Sequence, residues 1–251
     1  MKAQSPSVTF DAVTKEYAGT RALAGVTLTI EAGSFVTLVG SSGSGKSTLL
    51  KTINRLIEPS AGCVSIDGAP VDRDPPPVLR RRIGYVFQDV GLFPHMTVGE
   101  NIAVPLRLTG RPDPARVTEL LNLVSLEADL AHRMPAELSG GQRQRVGVAR
   151  ALATEPRLML MDEPFGALDP ITRDGLGREI RELHDRLRLT TILVTHDMAE
   201  ALLLADRVLV MDAGRIVADE IPAALMAGNG GEIAQALVAV PRGQVKRLEA
   251  L

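Results

Sequence analysis

Gly40-Ser41-Ser42-Gly43-Ser44-Gly45-Lys46-Ser47 has the spacing of a phosphate-cradling loop, and its flanks decide the fold. The run before it, Phe35-Val36-Thr37-Leu38-Val39, reads as a buried strand. Beyond it Leu49, Leu50, Ile53, Leu56 and Ile57 recur at helical spacing, so a helix is expected there. Glycines at the first, fourth and sixth positions let the backbone curl until successive N–H groups point inward at phosphate oxygens. The helix that opens at the loop adds the positive end of its dipole. In this pattern Lys46 reaches the β- and γ-phosphates and the Ser47 hydroxyl is a Mg²⁺ ligand. Ser41, Ser42, Ser44 and Thr48 complete the expected nucleotide contact. A flexible Gly/Ser-rich linker is the alternative, and the strand and helix on either side argue against it.

The 251 residues suffice for a sizeable core, as one large domain or a domain with a subdomain. A net charge of −2, with 45% hydrophobic residues, lacks the basic excess of a dedicated nucleic-acid binder. The single cysteine, Cys63, excludes an intramolecular disulfide framework and fits a reducing compartment. Its strand-like setting, Cys63-Val64-Ser65-Ile66, predicts a small buried hydrophobe. No signal-peptide-like stretch opens the chain, and no apolar run reaches bilayer-spanning length. A soluble, cytoplasmic chain is expected, anchored by another chain if it works at a membrane.

Val8 and Phe10, Val26, Leu28 and Ile30, and Val64 and Ile66 alternate with period two, which predicts antiparallel strands with one solvated face. Asp67-Gly68 predicts a turn. Asp74-Pro75-Pro76-Pro77 reads as a rigid, non-helical link. Ile83-Gly84-Tyr85-Val86-Phe87 resumes a strand, and Arg80-Arg81-Arg82 before it reads as a solvated basic face. From about residue 98 to 151 helical spacing dominates, with Val117, Leu120, Leu121 and Val124 as one stripe. Buried strands then return at Leu158-Met159-Leu160-Met161 and Thr191-Ile192-Leu193-Val194-Thr195. A charged helix with Leu176, Ile180, Leu183 and Leu187 on one face lies between them. Strands alternating with helices predict an α/β parallel sheet. A closing hairpin is expected around Asp212-Ala213-Gly214, and beyond Pro222 the tail reads as helical.

Leu158-Met159-Leu160-Met161-Asp162-Glu163 is an apolar strand ending in two carboxylates. Ligands gather at the carboxyl ends of parallel strands. Asp162 there is expected to hold Mg²⁺ and Glu163 to take a proton from the attacking water. An acidic pair after a strand also suits a helix N-cap. Thr195-His196-Asp197 ends the next strand, so His196 is expected at the same edge, near the γ-phosphate. The remaining histidines, His95, His132 and His184, have no such context. Leu138-Ser139-Gly140-Gly141-Gln142 opens another helix and offers a second anion site, or an ordinary Ser/Gly cap. One nucleotide has little use for two such sites in one subunit. A two-fold dimer is expected, in which residues 139–142 cap the nucleotide held by the partner's loop.

Together these motifs resemble the ATPase subunit of ABC transporters, over residues 8–217. Residues 40–47 are similar to its Walker A loop, 138–142 to its LSGGQ signature and 158–163 to its Walker B strand with the catalytic glutamate. Gln88 matches the Q-loop glutamine, Asp169 in Ala167-Leu168-Asp169 the D-loop, His196 the switch histidine and Tyr17 the aromatic that stacks on adenine. The resemblance implies an α/β P-loop NTPase: a RecA-like parallel sheet core, an antiparallel β subdomain and a helical subdomain. It implies a domain at 7–219, a helical insertion at about 92–152 and a helical tail at 220–251. ATP and Mg²⁺ are the implied cofactors, with Gln88 on the metal and catalysis carried by Glu163, His196 and Gln88.

The implied partners are a second copy of the chain, transmembrane permease subunits docking near Gln88 and residues 91–96, and, indirectly, a substrate-binding protein. No nucleic acid is among them, and the place of work is the inner face of the cell membrane. Ile53-Asn54-Arg55-Leu56-Ile57-Glu58-Pro59 and Gly91-Leu92-Phe93-Pro94-His95-Met96-Thr97 resemble the importers of glycine betaine, choline, carnitine and proline. Regulation by the CBS pair of some such importers is not expected in a chain ending at Leu251. With no tryptophan, five phenylalanines and two tyrosines, an aromatic cage for a quaternary amine is not expected either. Phe10, Phe35, Tyr85 and Phe87 read as strand positions. An importer of another small solute, such as an amino acid, is the alternative within the family. A soluble ABC-type ATPase acting on nucleic acid or translation is the alternative outside transport.

Overall fold

Alternating burial shapes the N-terminal sheet of this structure, a computed structural model that describes residues 5–249. Val8, Phe10 and Val13 on β1 (Val8–Tyr17) and Val26, Leu28 and Ile30 on β2 (Thr20–Ile30) are buried, with exposed or half-exposed neighbours between most of them. β3 (Phe35–Val39) is buried at every position, and α1 (Lys46–Ile53) follows it. β4 (Ala61–Ile66) and the two-residue β5 (Ala69–Pro70) add to the first sheet, in the order β2-β1-β4-β5. All its pairings are antiparallel. Tyr17↔Thr20 and Ile66↔Ala69 close on Ala18-Gly19 and Asp67-Gly68, both pairs at positive φ as a two-residue hairpin turn requires.

The middle of the chain runs α2 (Pro76–Arg80), β6 (Ile83–Val86), α3 (Val98–Leu108), α4 (Pro114–Leu123), two short 3-10 turns, α5 (Gly140–Leu152), β7 (Leu158–Asp162) and α6 (Pro170–Leu187). Then come β8 (Thr190–Thr195), α7 (Met198–Leu204), β9 (Arg207–Asp212), β10 (Arg215–Glu220), α8 (Pro222–Ala227) and α9 (Gly231–Glu249). The chain divides into two compact units, Pro75–Leu189 in one, Pro6–Asp74 and the residues from Thr190 onward in the other. In the second unit β3 pairs in parallel with both β8 and β9, and β10 folds back antiparallel on β9. Val39, Val208 and Val210 share a core with Met198, Leu225, Ala234 and Val238, so α7, α8 and α9 cover these strands. In the first unit β6 and β7 form a parallel pair. α5 lies on β6 and α3, and Val117, Leu120, Leu121 and Val124 form the buried stripe of α4 and its C-cap.

Four local expectations are corrected. α1 stops at Ile53, not Ile57. Arg55 takes a left-handed φ of 55°, and the N–H groups of Leu56 and Ile57 both donate to the Lys51 carbonyl, a closed helix end that leaves Leu56 exposed. Cys63 is exposed, because the inward residue of that alternation is Val64. Pro76 and Pro77 open α2 rather than exclude it: proline suits the first helical turn, where its missing N–H costs nothing. Phe87 lies one residue past β6 and is exposed.

Candidate functional site

Residues 40–47 join β3 to α1 within the second unit, with Gly45 as the N-cap. Gly45 has φ 103°, and a Cβ there would sit 2.5 Å from the Ala22 carbonyl oxygen. At Gly40 a Cβ would sit 2.2 Å from the Met211 carbonyl oxygen. Both positions therefore demand glycine for space as well as for backbone. The glycine N-cap makes no side-chain capping bond to α1. Lys46 is 5% exposed. Its ammonium donates to the carbonyls of Gly40 at 2.8 Å and Ser41 at 2.9 Å, which fixes it over the loop. Ser47 and Thr48 are half-buried in the first turn of α1.

His196 stands at the same edge of the same sheet. Val39 pairs with Thr195 across β3 and β8, so Gly40 and His196 each lie one residue beyond a paired position. Asp197 caps α7 by accepting from Ala199 N at 2.8 Å, which leaves His196 exposed between strand and helix. Tyr17 ends β1 in this unit, ahead of the Ala18-Gly19 turn. Its ring is 44% exposed, with the Lys15 ammonium 5.0 Å from the ring centroid.

The first unit gathers the carboxylates and Gln88. Val86 pairs with Met161 across β6 and β7, which brings Asp162 and the exposed Gln88 to one strand edge. Asp162 is 2% exposed, and the Tyr85 hydroxyl donates to its Oδ2 at 3.3 Å. Burial, followed by the Asp162 charge, pushes the Tyr85 phenol far above its ordinary pKa. Glu163 has φ 46°, a left-handed conformation rare for a non-glycine residue and concentrated at functional sites.

Ser139 caps α5 in a reciprocal box: Gln142 N donates to Ser139 Oγ at 3.2 Å, and Ser139 N donates to Gln142 Oε1 at 2.9 Å. A Cβ at Gly141 would meet Thr172 Cγ2 at 2.5 Å, so this glycine lets α5 approach the first turn of α6. Asp169 caps α6 through Ile171 N and Thr172 N, both 3.1 Å away. Hydrogen bonds, the Thr172 hydroxyl first, hold its carboxyl below the usual range. The signature residues and Asp169 are thus joined by one tight helix–helix contact.

Three residues in the first unit were not singled out from sequence. Tyr85 is one. Arg150, near the end of α5, is 9% exposed and forks onto the carbonyls of Val90 and Gly91, just past Gln88. Burial lowers its pKa, yet a guanidinium stays charged at neutral pH. Asn101 on α3 is fully buried, with its amide bonded to Phe93, Met96 and Thr97. Both hold the loop between β6 and α3. Only burial marks them, and neither residue type is distinctive at such spacings. Beside the loop lies a cavity of about 580 Å³ walled by Ile83, Phe87, Phe93 and Leu108, with Arg80 and Arg81 also lining it.

Among the described residues no group of three His, Cys, Asp or Glu side chains is placed to hold a metal. The Ser47 hydroxyl in one unit and the Asp162 carboxylate in the other each offer oxygen, the ligand type that hard cations take.

Comparison with known proteins fits this arrangement. The family model described as ABC transporter matches residues 23–166. The choline transport ATP-binding protein OpuBA of Bacillus subtilis (strain 168) is 48% identical over 239 residues, 94% of this chain and 63% of that protein. The glycine betaine uptake system ATP-binding protein YehX of Escherichia coli (strain K12) is 47% identical over 223 residues, 87% of this chain and 72% of that one. This chain therefore spans about three fifths of OpuBA's own length. Among solved structures, the dimeric, post-hydrolysis state of the ATP-binding cassette MJ0796 bound to ADP and Pi superposes with a TM-score of 0.78. It is 35% identical and covers 86% of this chain and 98% of that one. The fold is that of such cassettes, an α/β P-loop NTPase with parallel and antiparallel strands. With its family model matching more than half the residues and relatives near 48% identity along most of its length, this chain belongs to the ABC transporter family.

Proposed function

We propose that the chain is the ATP-hydrolysing subunit of an ABC importer for quaternary-amine osmoprotectants of the glycine betaine, choline, carnitine and proline class. The observation that carries the ATPase reading is the 40–47 loop. Gly40 and Gly45 admit no Cβ, its helix end has no side-chain cap, and a buried ammonium is fixed over its carbonyls. The substrate class rests on the kinship with OpuBA and YehX, whose names state choline transport and glycine betaine uptake.

In this reading residues 7–219 are the nucleotide-binding domain, with the helical insertion at 92–152 and the tail at 220–251. The N–H groups of residues 40–47 and the Lys46 ammonium bind the phosphates, while Tyr17 stacks on the adenine through its exposed ring. Ser47, Asp162 and Gln88 hold Mg²⁺, which when bound neutralises phosphate charge. Glu163 accepts the proton of the attacking water, and its strained backbone fixes where that carboxylate points. His196 donates to the γ-phosphate side from the same sheet edge as the loop. Residues 139–142 and Asp169 serve the nucleotide of a second copy. There the Ser139 hydroxyl, used here as an acceptor, can still donate its own hydrogen to an anion. Permease subunits seat in the cavity at Phe87 and Phe93 and hold the chain at the inner face of the membrane. A substrate-binding protein delivers the solute to them. No helix among the described residues is long and apolar enough to cross a bilayer itself.

Lys46→Ala tests the loop. Lost hydrogen bonds to charged phosphate cost roughly 1.5–3 kcal/mol, about ten- to a hundredfold in ATP affinity. Equilibrium dialysis reads this directly, and an unchanged ATP isotherm would refute the assignment.

A further inference from the structure

We propose that Tyr85 couples the apolar cavity to the Asp162 carboxylate, so that what seats in the cavity sets how that carboxylate holds its metal. The inference rests on the proposed function, in which the cavity receives a permease segment and Asp162 faces Mg²⁺.

The two strands place the pair. Tyr85 is in register with Leu160, and residues 160 and 162 share one strand face, so the phenol stands beside the Asp162 side chain. Its hydroxyl donates to Asp162 Oδ2 at 3.3 Å. At its other end the same ring lines the cavity, where it meets Phe87 edge-on with centroids 4.6 Å apart. Phe87 and Phe93 line that cavity too, and both are exposed to what enters it. One rigid side chain therefore has its ring on the docking surface and its hydroxyl on a nearly inaccessible carboxylate.

The length of the bond makes the link responsive. An O–H···O bond is strongest near 2.7–2.8 Å, so this one has room to shorten or to break. A ligand pressing on Phe87 can move the Tyr85 ring by a few tenths of an ångström and change the bond substantially. A phenylalanine would fill the ring's place in the cavity equally well. Among the described residues the hydroxyl bonds to Asp162.

The chain has no tryptophan, so Phe93→Trp gives a single indole on the cavity wall, excited at a wavelength where tyrosine does not absorb. The full chain carrying it is titrated with Mg²⁺ at a fixed concentration of a non-hydrolysable ATP analogue, and emission is recorded. Analogue binding is checked separately by equilibrium dialysis. The emission of Phe93→Trp is expected to shift with Mg²⁺. Adding Tyr85→Phe should raise the Mg²⁺ midpoint about three- to tenfold, the effect of a loose hydrogen bond to a charged group. It should also cut the amplitude at least twofold. Phe87→Leu, which keeps the bond and removes the ring relay, should cut the amplitude but move the midpoint less than twofold. If the analogue binds but Tyr85→Phe changes neither midpoint nor amplitude, the coupling is refuted and the ATPase reading stands. If the analogue does not bind, both fall. If Tyr85→Phe does not fold, Phe87→Leu decides: unchanged amplitude overturns the proposal, and reduced amplitude with a retained midpoint supports it.

Discussion

Adding one methyl group at Gly141 should have the opposite effect to adding one at its neighbour Gly140. A Cβ at Gly141 would lie 2.5 Å from Thr172 Cγ2, about 0.9 Å short of the 3.4 Å at which ordinary contact begins. Turning Thr172 out of the way would break its hydroxyl's bond to Asp169. Overpacking of this kind costs roughly 1–3 kcal/mol. The gain from alanine over glycine in a helix returns at most about 1 kcal/mol. Gly141→Ala should therefore destabilise by up to about 2 kcal/mol, a fall in Tm of up to roughly 8 °C for a chain this size. Gly140→Ala meets only Leu168 Cδ2 at 3.5 Å, so it should be neutral or slightly stabilising. Thr172→Ser removes the clashing methyl but keeps a hydroxyl for Asp169, so Gly141→Ala with Thr172→Ser should regain most of the loss. Thermal melts followed by circular dichroism read all four proteins. Equal Tm values for the two alanine variants, or no recovery with Thr172→Ser, would refute the proposed close contact.

Glu163→Gln should bind ATP and lose nearly all turnover, because an amide takes no proton from water; phosphate release at wild-type rate would remove Glu163 from the role of base. Ser139→Arg should hydrolyse poorly while still binding ATP through its own loop. Mixed with Lys46→Ala it should regain part of the activity, since one site of the heterodimer combines both lesions and the other is intact; heterodimers without activity argue against sharing. Because the folded-state pKa of Asp169 is depressed, its capping of α6 is present above the unfolded carboxylate pKa and is lost as pH falls through the lower, folded value. Asp169→Asn keeps a capping side chain and should flatten that part of the Tm-against-pH curve; matching acid limbs in both proteins would exclude Asp169 as their cause.

The strand, loop and helix around residues 40–47 were legible because strand, glycine spacing, Lys46 and helix lie in one continuous stretch. The Asp162-Glu163 pair and His196 were legible for a similar reason, since each ends an apolar strand. Tyr85, Arg150 and Asn101 were not. Their partners lie far along the chain: Asp162 is 77 residues from Tyr85, and Gly91 is 59 from Arg150. No periodicity announces a side chain that bonds to the backbone of another segment. Where α1 ends was misjudged because Leu56 and Ile57 continue its apolar spacing, while the Arg55 backbone turns the chain away. At Cys63 residue type suggested burial, but strand parity decided against it, since Val64 already holds the inward position.

The Arg150 fork reads only main-chain oxygens, those of Val90 and Gly91. Such an anchor ignores which side chains the loop carries. Asp89, Leu92 or Pro94 could be exchanged without loosening the post that holds their backbone, provided Gly147 leaves room for residue 90, whose Val90 Cγ1 would lie 2.7 Å from an added Cβ. Lysine could not take the place of Arg150, because a single ammonium offers no planar pair of donors for two successive carbonyls. The surface beside Gln88 can thus diversify its chemistry while its register to α5 stays constant. What this short loop displays and how firmly it is held are then separately adjustable.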